Sequence, residues 1–153
     1  MKKILFILIY TSILQKSQLQ TIYSQYPVYV GKDLGLTYTK TTSLFRIWSP
    51  TAREAQLLLY KEGVGGYPFE TVSLLKGESG TWYTQLAGNR ENTFYTFRVK
   101  INQQWSDEVT DPYAKAVGIN GRRAIVTDMN NTNPAGWAND KSPDFSNKNL
   151  PRL

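Results

Sequence analysis

Residues 94–101, Phe94-Tyr95-Thr96-Phe97-Arg98-Val99-Lys100-Ile101, decide the fold. Tyr95, Phe97, Val99 and Ile101 fall on one side, and Arg98 and Lys100 on the other. That period of two belongs to an extended strand with one buried face. The β-branched and aromatic content agrees with it. Working outward, the same alternation recurs. In 43–50 (SLFRIWSP), Phe45 and Ile47 oppose Arg46 and Trp48. In 55–61 (AQLLLYK), Ala55, Leu57 and Leu59 share a face. In 81–86 (TWYTQL), Trp82, Thr84 and Leu86 oppose Tyr83 and Gln85.

Turn chemistry separates these runs: Ser49-Pro50-Thr51, Gly63-Val64-Gly65-Gly66, Glu78-Ser79-Gly80 and the polar stretch from Gly88 to Asn92. Short strands at near-even spacing, without an amphipathic helix, predict an all-β antiparallel sandwich. Only Tyr113–Val117 has room for a helical turn. From Met129 the composition turns to Asn and Pro without periodicity, so residues 129–153 read as a C-terminal linker tail.

The 153 residues include no Cys and no His. Disulfides, thiolate metal sites and His-based general bases are therefore outside this chain's repertoire, and no metal site or cofactor is expected. Met1-Lys2-Lys3 precedes the apolar run Ile4–Leu14, which reads as a secretory signal peptide and is short for a membrane span. Cleavage after Ser24 removes Lys2, Lys3 and Lys16 and no acid, taking the net charge from +6 to +3. Most of the case for nucleic-acid binding goes with it. The expected organisation is a signal peptide over 1–24, a sandwich module over 25–128 and the linker over 129–153. The product is exported to the periplasm, the cell surface or the medium, and has no membrane association once the signal is gone.

Residues 111–128 (DPYAKAVGINGRRAIVTD) lack a catalytic partner. Asp111-Pro112 fits an Asx-type turn, and Asn120-Gly121 fits a tight turn with positive φ. Ala124, Ile125 and Val126 then return as a short strand. Asp107, Glu108 and Asp111 read as solvated strand-end charges plus a turn cap, and Arg122-Arg123 as a solvated turn. The sequon at Asn130-Asn131-Thr132 is a chance match in an Asn-rich tail.

Five pieces stand in a recognisable order: 44–60 (LFRIWSPTAREAQLLLY), 80–88 (GTWYTQLAG), 94–101, 111–128 and 132–137 (TNPAGW). Together they resemble the N-terminal module of bacterial type I pullulanases, which belongs to carbohydrate-binding module family 48 and precedes a glycoside hydrolase family 13 barrel. Trp48-Ser49-Pro50-Thr51-Ala52 stands where that family shows a W-A-P-T-A stretch. The resemblance spans roughly Tyr26 to Trp137 and implies an immunoglobulin-like sandwich. It also implies hydrolysis of α-1,6 branch linkages by the barrel that follows the module. A retaining glycosidase needs two carboxyl groups about 5 Å apart, and the family's catalytic motifs have no counterpart before Leu153. The chain reads as a truncated product, a gene-model fragment or a detached module, with no catalytic residues of its own.

Within the resemblance, the expected partners are an α-glucan (starch, pullulan or glycogen), held weakly, and the catalytic barrel of the same parent chain. Aromatic rings stack on the apolar C–H faces of sugars while amides and charges bind hydroxyls. Trp105, with Lys100, Asn102 and Gln104 as polar neighbours, is the leading glycan-contact candidate. Trp48 is a second, either packed or exposed, and Trp82 reads as core. Asp111, Pro112, Tyr113 and Trp137 are expected at an interdomain seam, with Trp137 anchoring the tail back onto the sandwich. The alternative function is a structural or protein-interaction sandwich of the periplasm without glycan binding.

Overall fold

A computed structural model describes residues 25–142; the expected signal peptide and the end of the tail lie outside them. Nine strands form: β1 (Gly35–Tyr38), β2 (Thr42–Trp48), β3 (Glu54–Tyr60), β4 (Glu70–Ser73), β5 (Leu75–Lys76), β6 (Thr81–Ala87), β7 (Phe94–Ile101), β8 (Gln104–Trp105) and β9 (Ala124–Ile125). One sheet runs β1-β2-β6-β5; the other runs β4-β3-β7-β8, with β9 also paired to β7. All pairings are antiparallel, and the two sheets form the expected sandwich. The described residues form four short 3-10 turns and no α-helix, and none forms a helix long and apolar enough to cross a membrane. No helical turn occupies Tyr113–Val117. A turn at Pro112–Tyr113 and a bridge from Val117 to Ala124 take its place, with a 3-10 turn at Ile119–Gly121.

The inward faces are the alternating ones. Phe45 and Ile47 of β2 meet Leu57 and Leu59 of β3 and Tyr95 and Phe97 of β7 in one core. Phe45 and Tyr95 meet edge-to-face at 5.0 Å between centroids, and Tyr95 and Phe97 at 5.7 Å. The first of these contacts links the two sheets, and each buried ring contributes roughly 2–3 kcal/mol of apolar burial. Trp82 is core, with its indole N–H donated to the Ser49 carbonyl at 3.0 Å.

Alternation fails in the second half of β3. Leu58 and Tyr60 face away from the core, yet both are buried, as is Thr96 beside them on β7. The cover comes from charges that the sequence reading left in solvent. Glu108 accepts hydrogen bonds from Tyr60 (2.6 Å) and Thr96 (2.8 Å). Arg123 is 9% exposed, lies 3.4 Å from the Tyr60 ring centroid and donates to the Glu62 and Gly65 carbonyls. Arg123 is therefore not a solvated turn charge: a guanidinium can bury its plane on an aromatic ring while its N–H groups satisfy loop carbonyls. Glu108 stays exposed while its carboxylate accepts both hydrogen bonds. Arg122, next to it, is exposed.

Arg123→Ala should therefore destabilise the protein by about 2 kcal/mol, because it uncovers Tyr60 and leaves two carbonyls unpaired. Arg122→Ala should stay within about 0.5 kcal/mol of wild type. Urea denaturation of the two variants checks this contrast.

Candidate functional site

Two groups of predicted site residues lie on opposite faces of β7. On the outer face, the stretch after Ile101 is a hairpin. Lys100 pairs with Trp105 and Ile101 with Gln104, leaving Asn102 and Gln103 as a two-residue connection. Both have positive φ, 50° and 65°, as a type I′ turn requires. The hairpin sets Trp105 beside two cations of β7. The Arg98 guanidinium lies 4.9 Å from its ring centroid and the Lys100 ammonium 5.6 Å. Both cations are themselves held from β3. Arg98 donates to Gln56 at 2.8 Å, and Lys100 pairs with Glu54 at 2.7 Å. A half-buried indole is thus fixed against charged groups, next to turn residues with free amides. Arg98, Gln56 and Glu54 were missed from the sequence. They enter only through the β3–β7 register, which a single chain does not display.

Trp48 is not part of this arrangement. It ends β2, in the other sheet, is 42% exposed and donates its indole N–H toward the Pro27 (3.1 Å) and Ser79 (3.0 Å) carbonyls. The structure brings it to the seam residues instead. Trp48, Pro112 and Tyr113 line a cavity of about 320 Å³ that reaches Ile47, Phe97 and Val99. A neighbouring cavity of about 250 Å³ shares Trp48 and Tyr113 and is closed by Val28, Tyr29 and Leu34. The segment before β1 is held there by Asp33, which accepts from Arg46 at 2.9 Å and from the Tyr29 hydroxyl. Trp137 stands on a 3-10 turn and is 58% exposed.

Beneath the seam, Asp111 caps its turn as the Asx reading requires, accepting from the Tyr113 N–H at 2.8 Å. It is not solvated, however. Asp111 is 3% exposed and its second oxygen accepts from the Tyr95 hydroxyl at 2.8 Å. Gly35, with φ of 89°, makes room for this turn: a β-carbon there would sit 2.7 Å from Cβ of Tyr113.

Residues 33–114 match the family Carbohydrate-binding module 48 (Isoamylase N-terminal domain). The chain belongs to carbohydrate-binding module family 48. Among relatives, this module is 32% identical over 98 residues to a pullulanase of Bacillus subtilis, covering 64% of the chain and 13% of that enzyme. It is 31% identical over 109 residues to a pullulanase of Klebsiella pneumoniae, covering 65% and 10%. Among solved structures, pullulanase of Paenibacillus barengoltzii superposes with a TM-score of 0.74 at 41% identity, over 81% of this chain and 19% of that one. The Bacillus acidopullulyticus enzyme gives 0.70 at 38% identity, over 76% and 14%. The module thus matches the N-terminal region of pullulanases and spans only a small part of their length.

In this family 48 module, burial pushes the Asp111 carboxyl above its ordinary value, outweighing the opposing pull of the Tyr113 N–H and the Tyr95 hydroxyl. The same burial, with the neighbouring carboxylate, raises Tyr95. A carboxyl raised on folding binds its proton more tightly in the folded state. It therefore adds stability below the unfolded value of about 3.9, which is lost as pH rises through the folded value. Asp111→Asn should remove that slope and be at least as stable as wild type at pH 7, since an amide can accept from Tyr113 and donate to Tyr95. Asp111→Ala should cost about 2–3 kcal/mol at the same pH. Melting temperatures of the three proteins between pH 4 and 7 give the answer; a less stable Asp111→Asn at pH 7 would show that the folded site prefers the charge.

Proposed function

We propose that the module makes a weak α-glucan contact through the β7–β8 hairpin, with Trp105 as the stacking surface and Lys100 and Asn102 as polar neighbours. One observation carries the reading: an indole braced by Arg98 and Lys100 at the end of a sheet face, beside the Asn102-Gln103 turn. Bracing lowers the entropy lost when a ring is immobilised on a sugar. The relatives add support. The P. barengoltzii pullulanase has been solved in complex with maltotriose, and with maltohexaose and α-cyclodextrin. Hydrolysis of α-1,6 linkages in starch, pullulan or glycogen is proposed for a catalytic domain following the module in a parent chain, and export for the whole.

A second reading has its own observation. Trp48 and Tyr113 are 42% and 54% exposed and front two adjoining apolar cavities, one of which reaches the core residues Ile47 and Phe97. Contiguous apolar surface of this kind marks a contact surface. It supports a seam at Asp111, Pro112 and Tyr113 against a catalytic barrel, now joined by Trp48. Trp137 has no described place in it.

Affinity electrophoresis of the full chain, in gels with and without amylopectin or pullulan, tests the first reading. Wild type should be retarded by glucan. Trp105→Ala should lose at least about ten-fold in affinity, the equivalent of ~1.4 kcal/mol, with an unchanged urea midpoint, while Trp48→Ala keeps the retardation. Unretarded wild-type protein, or a Trp105→Ala variant that still binds, overturns it in favour of the docking reading.

A further inference from the structure

We infer that Gln103 is a ligand-contacting, specificity-determining residue of the Trp105 site, offering its amide to the hydroxyls of a bound α-glucan; this rests on the glucan reading above. The starting point is a backbone conformation that the residue type does not favour. A two-residue type I′ loop needs positive φ at both positions, which Gly adopts freely, and Asn and Asp with little strain. A long unbranched side chain gains nothing from it, and the left-handed region costs such a residue about 1–2 kcal/mol. Asn102 suits its position. Gln103, at 65°, stands where glycine is preferred.

The other residues in this conformation have an account within the chain. Among the described residues, Ser79, Asn92, Asn102, Gln103 and Asn120 are the non-glycines with positive φ. Three of them are Asn, and the Ser79 carbonyl accepts the Trp48 indole N–H. Gln103 is exposed, and its amide has no hydrogen-bond partner among the described residues. Strain held at an exposed turn, with no internal contact to maintain it, points to a use outside the chain.

Its position names that use. Gln103 lies two residues before Trp105, in the turn that sets the register of Lys100 against the indole. A glucose ring resting its C–H face on Trp105 directs its hydroxyls sideways, toward the rim of the indole. Arg98 and Lys100 already bind Gln56 and Glu54. Those two cations offer donors alone, whereas the amides of the neighbouring turn can also accept. Each amide supplies two donors and one acceptor, which suits hydroxyls that do both. Asn102 satisfies the turn whether or not a ligand binds; Gln103 does not, and this sets it apart as the residue kept for the ligand.

The full chain, the variants Gln103→Gly, Gln103→Asn and Trp105→Ala, and two readouts test this. The readouts are the melting temperature and retardation in pullulan gels. Gln103→Gly should melt roughly 2–4 °C higher, through relief of the turn less the added freedom of the unfolded chain, and bind pullulan about five-fold more weakly. Gln103→Asn should also melt higher and keep more of the binding than Gln103→Gly. A purely structural role would move melting and binding in the same direction. Unchanged binding in Gln103→Gly, with binding lost in Trp105→Ala, overturns the role of Gln103 and leaves the glucan site standing. A lower melting temperature in Gln103→Gly also overturns it, by removing the strain. Full binding by Trp105→Ala, or none by wild type, overturns the glucan reading and this inference together.

Discussion

The backbone of β7 must find hydrogen-bond partners on both edges, and its two edges are met in different ways. On one side β3 pairs with it in unbroken register, from Glu54 opposite Lys100 to Tyr60 opposite Phe94. On the other, three separate pieces of chain share the work: β9 at Phe94 and Tyr95, Val109 at Phe97, and β8 at Lys100 and Ile101. Buried peptide groups left unpaired are costly, so these pieces must return to β7 in turn. The path of residues 102–125 is largely a consequence of that demand. The Tyr95–Asp111 hydrogen bond fixes one return from inside the core.

This arrangement separates the two candidate surfaces by the simplest device a strand possesses. Phe97 and Val99 point inward and line the cavity shared with Trp48 and Tyr113. Arg98 and Lys100 point outward and brace Trp105. The two proposed contacts, with a glycan and with a following domain, therefore draw on alternate residues of one strand and need not compete.

The core was legible because its signal is local. Period two in 43–48, 81–86 and 94–101 names nearly every inward residue of β2, β6 and β7. What stayed hidden depends on contacts between distant residues. Leu58 and Tyr60 carried no mark of a second buried face, since their cover comes from Glu108 and Arg123. Arg123 looked solvated for the same reason. β8 was hidden because Asn102-Gln103 lacks the glycine that announces a tight hairpin. The platform was half legible: Trp105, Lys100 and Asn102 stand close in sequence, whereas Gln56 and Glu54 arrive across a sheet. Trp48 had two readings that only the position of Tyr113 separates.

The strands that close each sheet are short. Where β2, β3, β6 and β7 run seven or eight residues, β1 and β4 have four and β5, β8 and β9 have two each. An exposed rim of peptide groups invites another chain to add a strand, and the invitation grows with its length. Here every rim is interrupted by a turn before it can serve as a template for amyloid-like growth. Lys76 adds a charge at the outermost strand of one sheet. The sandwich can therefore expose aromatic side chains such as Trp48 and Tyr113 while giving neighbouring copies no straight border along which to polymerise.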